Sequence, residues 1–379
     1  MTLTGSGRTV GVEEEFALVD AAGRLAPRRT AVLRRLVGSV GIFKPELHTA
    51  QVESVTPVRT DVEALRADLT TARSELAAAA AAEGCRVVPA GMPVGPAMQQ
   101  APAPRAPGPD RHARIRQLYA GAVGDYCACG CHVHVGVVDL DTAVAVVNHL
   151  RPWLPSLIAL SANSPFQHGL DTGYASWRVV EQSKFPGFGI PPYLASAADY
   201  RERVGRLVEC GILADERMSV WLARPSQVFT TVEVRAADVG LRVADALLQA
   251  VLVRGLVGSA LRDLAAGIEG PVIDNQIGAA AVWSAARYGL DGPAIDPINE
   301  IQVPARTLVE TMFAAIAPDL DELGDLDLAR ALLDAVLREG NGAYRQRCAG
   351  IDAVLDRFAL AAPEPVVETE QMVAERCGN

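Results

Sequence analysis

The sequence has no basic surplus. Its 379 residues carry 35 Lys and Arg against 45 Asp and Glu, a formal net charge of -10. Nothing is left over to neutralise phosphates, so nucleic acid is excluded as a partner. No apolar stretch is long and uncharged enough to suggest a membrane span. The most apolar, Ala244–Leu264, is interrupted by Asp245, Gln249, Arg254, Arg262 and Asp263, and no membrane partner is expected. Cysteines number seven, an odd count in a long chain, which argues against a secreted disulfide framework. The N-terminus lacks a charged segment followed by an apolar one, so no signal peptide is expected and the expected location is the cytoplasm. There is no glycine-rich phosphate loop of the Walker type and no internal repeat. What is present is a globular composition: half the residues are hydrophobic and 21% are charged. That length suits one large domain or two to three ordinary ones.

Against this background Thr9–Asp20 (TVGVEEEFALVD) stands out. It has the β-branched, apolar content of a strand, yet three glutamates interrupt it. Side chains alternate across a strand, so Glu13 and Glu15 share one face while Glu14 joins Val12 and Phe16 on the other. Two carboxylates ~6–7 Å apart at an effective dielectric of about 20 repel by roughly 2–3 kcal/mol. A fold tolerates that where a cation sits between them, where one carboxyl stays protonated, or where the strand is solvated.

Three later segments share the same two-faced character. Phe43–Pro57 reads as a strand region with Gln51 and Glu53 on one face. Tyr126–Val138 reads as a strand with His132 and His134 on one face and Cys127, Cys129 and Cys131 on the other. Phe229–Arg235 places Thr231, Glu233 and Arg235 opposite Val232 and Val234. If these strands pair with those faces aligned, four glutamates, two imidazoles and a guanidinium converge. Carboxylate oxygens suit a hard cation, and Mg²⁺ bridges carboxylates to substrate phosphates, so the surface suits a Mg²⁺–nucleotide complex. Bland readings compete. The Cys-x-Cys-x-Cys-His-x-His run has the residue types of a zinc site, but in a continuous strand its cysteines and histidines point apart. A single histidine here could be a core residue, and Glu233 with Arg235 a structural ion pair.

Elsewhere, Thr60 followed by Glu63 predicts a capping box opening an alanine-rich helix that Gly84 closes. Residues 91–109, with six prolines and three glycines, predict a long loop. Helices are predicted over 198–209, 238–267, 274–288, 300–317, 325–339 and 350–360. The expected fold class is α+β, an antiparallel sheet formed mainly by residues 1–240 with helices mainly from 241–379, in a single domain spanning 1–379.

With these residues assembled, the chain resembles the glutamate–cysteine ligase type 2 family, the carboxylate–amine ligases. The similar pieces are TVGVEEEFALVD (9–20), QVESVT (51–56), GCHVHVGV (130–137), LRPWLPSLIALSANSPF (150–166), GLDTGYASWR (169–178), RPS (224–226), TVEVRAAD (231–238), AARYGLDG (285–292) and YRQR (344–347). The resemblance implies a glutamine-synthetase-like curved antiparallel sheet forming a funnel for ATP and Mg²⁺. It implies a reaction in which ATP phosphorylates a carboxylate and an amine displaces phosphate to give an amide. Under it, Glu13, Glu15, Glu53 and Glu233 are expected metal ligands. His134, Arg235 and Arg178 are expected to contact phosphate or substrate, with Arg178 clamping a carboxylate. Arg224, Thr231 and Ser176 are expected in the nucleotide site, and the substrates are a small carboxylate and a small amine.

Three departures bear on the substrates. Trp221 is followed by Leu222 rather than Asp. Gly91-Met92-Pro93-Val94 replaces Gly-Thr-His-Pro, and Ala281 replaces an Asn. They suggest a specialised biosynthetic ligase rather than one joining glutamate to cysteine. A phosphotransferase on the same fold and a non-catalytic nucleotide-binding protein are the rival expectations, and self-association into a homo-oligomer is left open.

Overall fold

The structure is a computed structural model that describes residues 9–96, 111–124 and 126–361. Its main sheet has seven strands: β1 (Val10–Val19), β2 (Ile42–Pro45), β3 (Gln51–Val55), β4 (Arg86–Val88), β5 (Gly130–Gly136), and, past the small β6–β7 hairpin (Phe166–Gln167, Leu170–Asp171), β8 (Ala223–Pro225) and β9 (Thr231–Asp238). The order is β2-β3-β1-β5-β9-β8, with β4 against the C-terminal end of β1, and every pairing is antiparallel. The hairpin β10–β11 (Pro293–Asp296, Ile301–Pro304) stands apart from this sheet.

Thirteen α-helices complete the described residues: α1 (Arg29–Arg35), α2 (Val62–Ala82), α3 (Arg111–Tyr119), α4 (Leu140–Leu150), α5 (Leu154–Ser161), α6 (Trp177–Gln182), α7 (Ala197–Glu209), α8 (Val243–Ala265), α9 (Asn275–Tyr288), α10 (Ala305–Leu323), α11 (Leu326–Glu339), α12 (Gly342–Ala349) and α13 (Ile351–Phe358). One face of the sheet is apolar. Val10 and Val12 of β1, Val133 and Val135 of β5, and Val232 and Val234 of β9 enter one cluster with α4, α5, α8 and α10. The segment Leu140–Ser161 and helix α8 are long and apolar enough to cross a membrane, but 89% and 78% of their most apolar windows are buried inside the protein. They act as core helices, and charges such as Arg254 are absorbed by internal partners, here the Thr60 carbonyl at 2.8 Å.

Several local expectations need correction. Phe43–Pro57 is not one strand but the hairpin β2–β3, whose turn is held by Arg29 donating to the Glu46 carbonyl and, at 3.0 Å, to the His48 carbonyl. The cap of α2 is Asp61, not Thr60; its carboxylate accepts from the Glu63 and Ala64 amides. β5 begins at Gly130, so Cys127 and Cys129 lie before it. The expected helix 300–317 starts later, after β11, and runs through Pro318 to Leu323, where buried Leu320 and left-handed Gly324 (φ 78°) finish the turn. Helices α3 and α12 were not expected. Most of the expected 91–109 loop lies outside the described residues.

Candidate active site

The other face of the sheet is polar over its middle strands, and register explains why. Glu13 of β1 lies opposite His132 of β5, Glu15 opposite Glu53 of β3, and His134 opposite Glu233 of β9. The outer strands add Lys44 opposite Glu53 and Arg224 opposite Glu233. These side chains floor a cavity of about 360 Å³. Its walls come from Arg111 and Ile115 of α3, from Tyr126, Gln182 and Phe185, and from the segments 217–220 and 226–229. Phe185 is clasped edge-to-face by Tyr119 and Tyr126, with centroids 5.1 and 4.9 Å away.

Two groups of ligand-type atoms gather on the floor. Glu13, His134 and Glu233 form one, and Glu15, Glu46 and Glu53 the other; within each set the atoms lie within 4.8 Å of one another. The second set is all carboxylate, the donor chemistry of Mg²⁺, and the first mixes carboxylates with an imidazole whose Nε2 has no hydrogen-bond partner. That Nε2 lies 3.7 Å from Glu13 Oε2, while Nδ1 is 2.9 Å from Thr231 Oγ1, which fixes the ring. Such a histidine, oriented through one nitrogen with the other free, is arranged as a metal ligand would be. A divalent cation therefore fits the residues present.

Electrostatics agree with two crowded anionic sets. Burial pushes the Glu53 carboxyl up, and its neighbours Glu13, Glu15 and Glu46 add repulsion that Lys44, 3.3 Å away, only partly offsets; it titrates at about 8. Burial likewise raises Glu46. At Glu13 burial is outweighed by His132 and His134, and the carboxyl is held far below the usual range. At Glu233 burial is outweighed by Arg224 and Arg235, again depressing it strongly. Arg224 grips Glu233 through Nε at 2.8 Å and Nη2 at 3.2 Å, and Arg235 Nη1 bonds the same Oε1 that Arg224 Nη2 bonds. Burial and the adjacent Arg235 lower the His132 imidazole, which keeps it neutral.

The sheet thus brings together Glu13, Glu15, Glu53, Glu233, His134, Arg224 and Arg235, with Thr231 behind His134. Two expected residues do not join them. Arg178 is not on a loop but in α6, fully buried, and its guanidinium donates to the Arg235 carbonyl at 3.2 Å and sits 3.7 Å from Asp238. It holds β9 from beneath and does not line the cavity. A Cβ on Gly130 would come within 2.4 Å of Arg178 Nη2, so β5 needs glycine there. Ser176 caps α6, and its hydroxyl donates to Asp238 Oδ1 at 2.8 Å. Gln51, on the same strand face as Glu53, is also structural, donating to the Ala128 carbonyl at 2.7 Å.

Glu46, Lys44, Arg111 and Tyr126 were missed. Lys44 is one of only two lysines in the sequence, and Lys44 and Glu46 continue the alternation of a polar strand face, the one signal that pointed to them. Glu14 crosses to the core, where Arg73 donates to it at 3.0 and 2.6 Å. The cysteines Cys127, Cys129 and Cys131 are buried and free, Cys131 in the apolar cluster with Val133 and Val135 and the other two in a second cluster with Phe16 and Val52.

The model of the glutamate–cysteine ligase family 2 matches residues 9–349. The chain belongs to that family. The chain is 49% identical over 349 residues to a Saccharopolyspora erythraea protein named "Putative glutamate–cysteine ligase 2-2", covering 90% of this chain and 88% of that one. A Nocardia farcinica relative, named as a 2-1 member of the same group, is 41% identical over 369 residues, covering 94% and 95%. Among solved structures, the glutamate–cysteine ligase of Francisella tularensis in complex with AMP superposes with a TM-score of 0.68 at 15% identity, over 92% of this chain and 86% of that one. A bifunctional glutathione synthetase from Pasteurella multocida gives 0.57 at 16% identity, over 92% and 53%. These establish the glutamine-synthetase-like α+β fold. As a family member the chain is an ATP-dependent carbon–nitrogen ligase acting on a small carboxylate and a small amine.

Proposed function

We propose that this ligase activates its carboxylate as an acyl phosphate, with the reaction assembled on the polar face of the sheet. The observation that carries the reading is the pair of ligand sets, Glu13/His134/Glu233 and Glu15/Glu46/Glu53, side by side and flanked by Arg224 and Arg235. Mg²⁺ held there would neutralise nucleotide phosphates that the sequence has no Walker loop to cradle. Charge that builds on a phosphoryl group in transfer is met by Arg235, and the buried floor strengthens that contact. The carboxylate oxygen takes the γ-phosphoryl group and ADP leaves. The amine nitrogen then attacks the acyl carbon, and phosphate departs with the oxygen it received.

The departures that suggested a specialised substrate pair sit away from this chemistry. Leu222, Met92 and Ala281 are each 1% exposed, and none lines the cavity. Glutamate and cysteine are therefore the first pair to test, and a specialised pair the second. The test is ADP release across a panel of acids and amines, with products identified by mass. Release that needs both an acid and an amine supports ligation. Release with an acid alone, leaving a stable phosphorylated product, would make the protein a phosphotransferase. Nucleotide binding with no release over the whole panel would leave it non-catalytic.

A further inference from the structure

On the helical side of α6 lies a second cavity of about 500 Å³. Val179, Phe188, Ile190, Val282 and Trp283 make its wall apolar, and α6 and α9 form two of its sides. Among the described residues the one cation lining it is Arg151, which is 1% exposed. Its Nε donates to the Pro191 carbonyl at 2.9 Å, and its Nη1 is buried without a partner. The Tyr193 ring lies 5.9 Å from the guanidinium. Among the described residues no carboxylate forms an ion pair with it.

A guanidinium removed from water with no counter-charge is costly to the fold, and replacement by an apolar side chain is the usual route to stability. Keeping Arg here makes sense if an anion completes it, since the planar fork matches a carboxylate with two parallel hydrogen bonds. A concave, mostly apolar space with one placed polar group is also the general build of a small-molecule site. Asp274 lines the same cavity, but its carboxylate already caps α9 through the Gln276 and Ile277 amides.

We propose that this cavity binds a small amphipathic carboxylate, its acid group on Arg151 and its aromatic or branched apolar body against Phe188, Ile190 and Trp283. The site is separate from the catalytic face but shares a wall with it. Gln182 and Phe185 line the catalytic cavity, while Ser183, Phe188 and Gly189 line the second. The Gly189 carbonyl accepts from the Leu222 amide, and the Leu222 carbonyl accepts from the Arg235 amide.

The test uses 4-phenylbutyrate and its neutral match 4-phenylbutanamide on the full chain, by calorimetry and saturation-transfer NMR. The acid should bind one-to-one, and the amide about tenfold more weakly or not at all. Two variants locate it. Arg151→Gln removes the cation, and Ala279→Trp closes the cavity from an exposed position that leaves Arg151 in place. Each should weaken the acid by about tenfold or more. If Arg151→Gln fails to fold, Ala279→Trp and the acid–amide comparison still decide. No acid binding up to about 10 mM, equal binding of acid and amide, or unchanged acid binding by Ala279→Trp would overturn the proposal. None of these readouts requires ligase turnover, so they stand whether or not the acyl-phosphate reading survives.

Discussion

Glu53 lies between Glu15 across the β1–β3 pairing and Glu46 beyond β2, and its carboxyl titrates at about 8. Such a group keeps a proton that the unfolded chain has released above its ordinary value of 4.5. The metal-free protein is therefore expected to lose stability as pH rises from that value to about 8, with no further loss from this group above it. Denaturant midpoints from pH 5 to 9 check this; a rise across that window in Glu53's contribution, read against Glu53→Gln, would contradict it. A cation entering the site displaces the same proton. Mg²⁺ binding at pH 7 should release about one proton, measured by calorimetry in two buffers of different ionisation heat, and Glu53→Gln should abolish that release. Turnover should fall by about 10²–10³-fold or more in Glu15→Gln or Glu53→Gln, with the circular-dichroism spectrum unchanged. The odd-numbered glutamates of β1 and β3 were legible because a strand's twofold alternation fixes which side chains share a face. Arg178 and Ser176, which the resemblance alone brought to the site, lie off that face in and before α6, because alternation says nothing about a helix that packs its basic residue beneath a strand.

At the scale of elements, the sheet depends on two buried charge contacts that lie off the catalytic face, Glu14 with Arg73 and Asp238 with Arg178. Glu14 of β1 and Arg73 of α2 are both buried and joined by two hydrogen bonds. Arg73→Met leaves Glu14 unpaired and should cost about 3–5 kcal/mol. The pair Glu14→Leu with Arg73→Met should recover most of it, as measured by urea unfolding. If the single and double variants were equally destabilised, the penalty would not come from an orphaned charge. Gly130→Ala, which drives a Cβ against Arg178, should destabilise β5 and displace Arg235 through its carbonyl contact. The strands and long helices were readable from periodicity, whereas the β2–β3 turn, the β10–β11 hairpin and short α12 were not. The β2–β3 turn and α12 depend on contacts distant in sequence, Arg29 on the Glu46 and His48 carbonyls and Asn163 with Gln346 across the molecule at 2.7 Å.

At the scale of the whole molecule, the sheet-forming and helical parts share one apolar cluster that runs from Val10 to Val336. Single-domain behaviour is our proposal, and it predicts one cooperative unfolding transition reported alike by far-ultraviolet circular dichroism and by tryptophan fluorescence. Two separated transitions would count against it. The nine matching segments made the family legible; the site's floor then followed from strand register that periodicity alone could not supply.

The most direct measurement follows an oxygen atom. The acid of the most active acid–amine pair is labelled with ¹⁸O in its carboxylate and turned over with ATP, Mg²⁺ and the amine, and the released phosphate is weighed by mass spectrometry. Activation as an acyl phosphate predicts one ¹⁸O per phosphate and ADP as the nucleotide product. Unlabelled phosphate, or AMP in place of ADP, would contradict it.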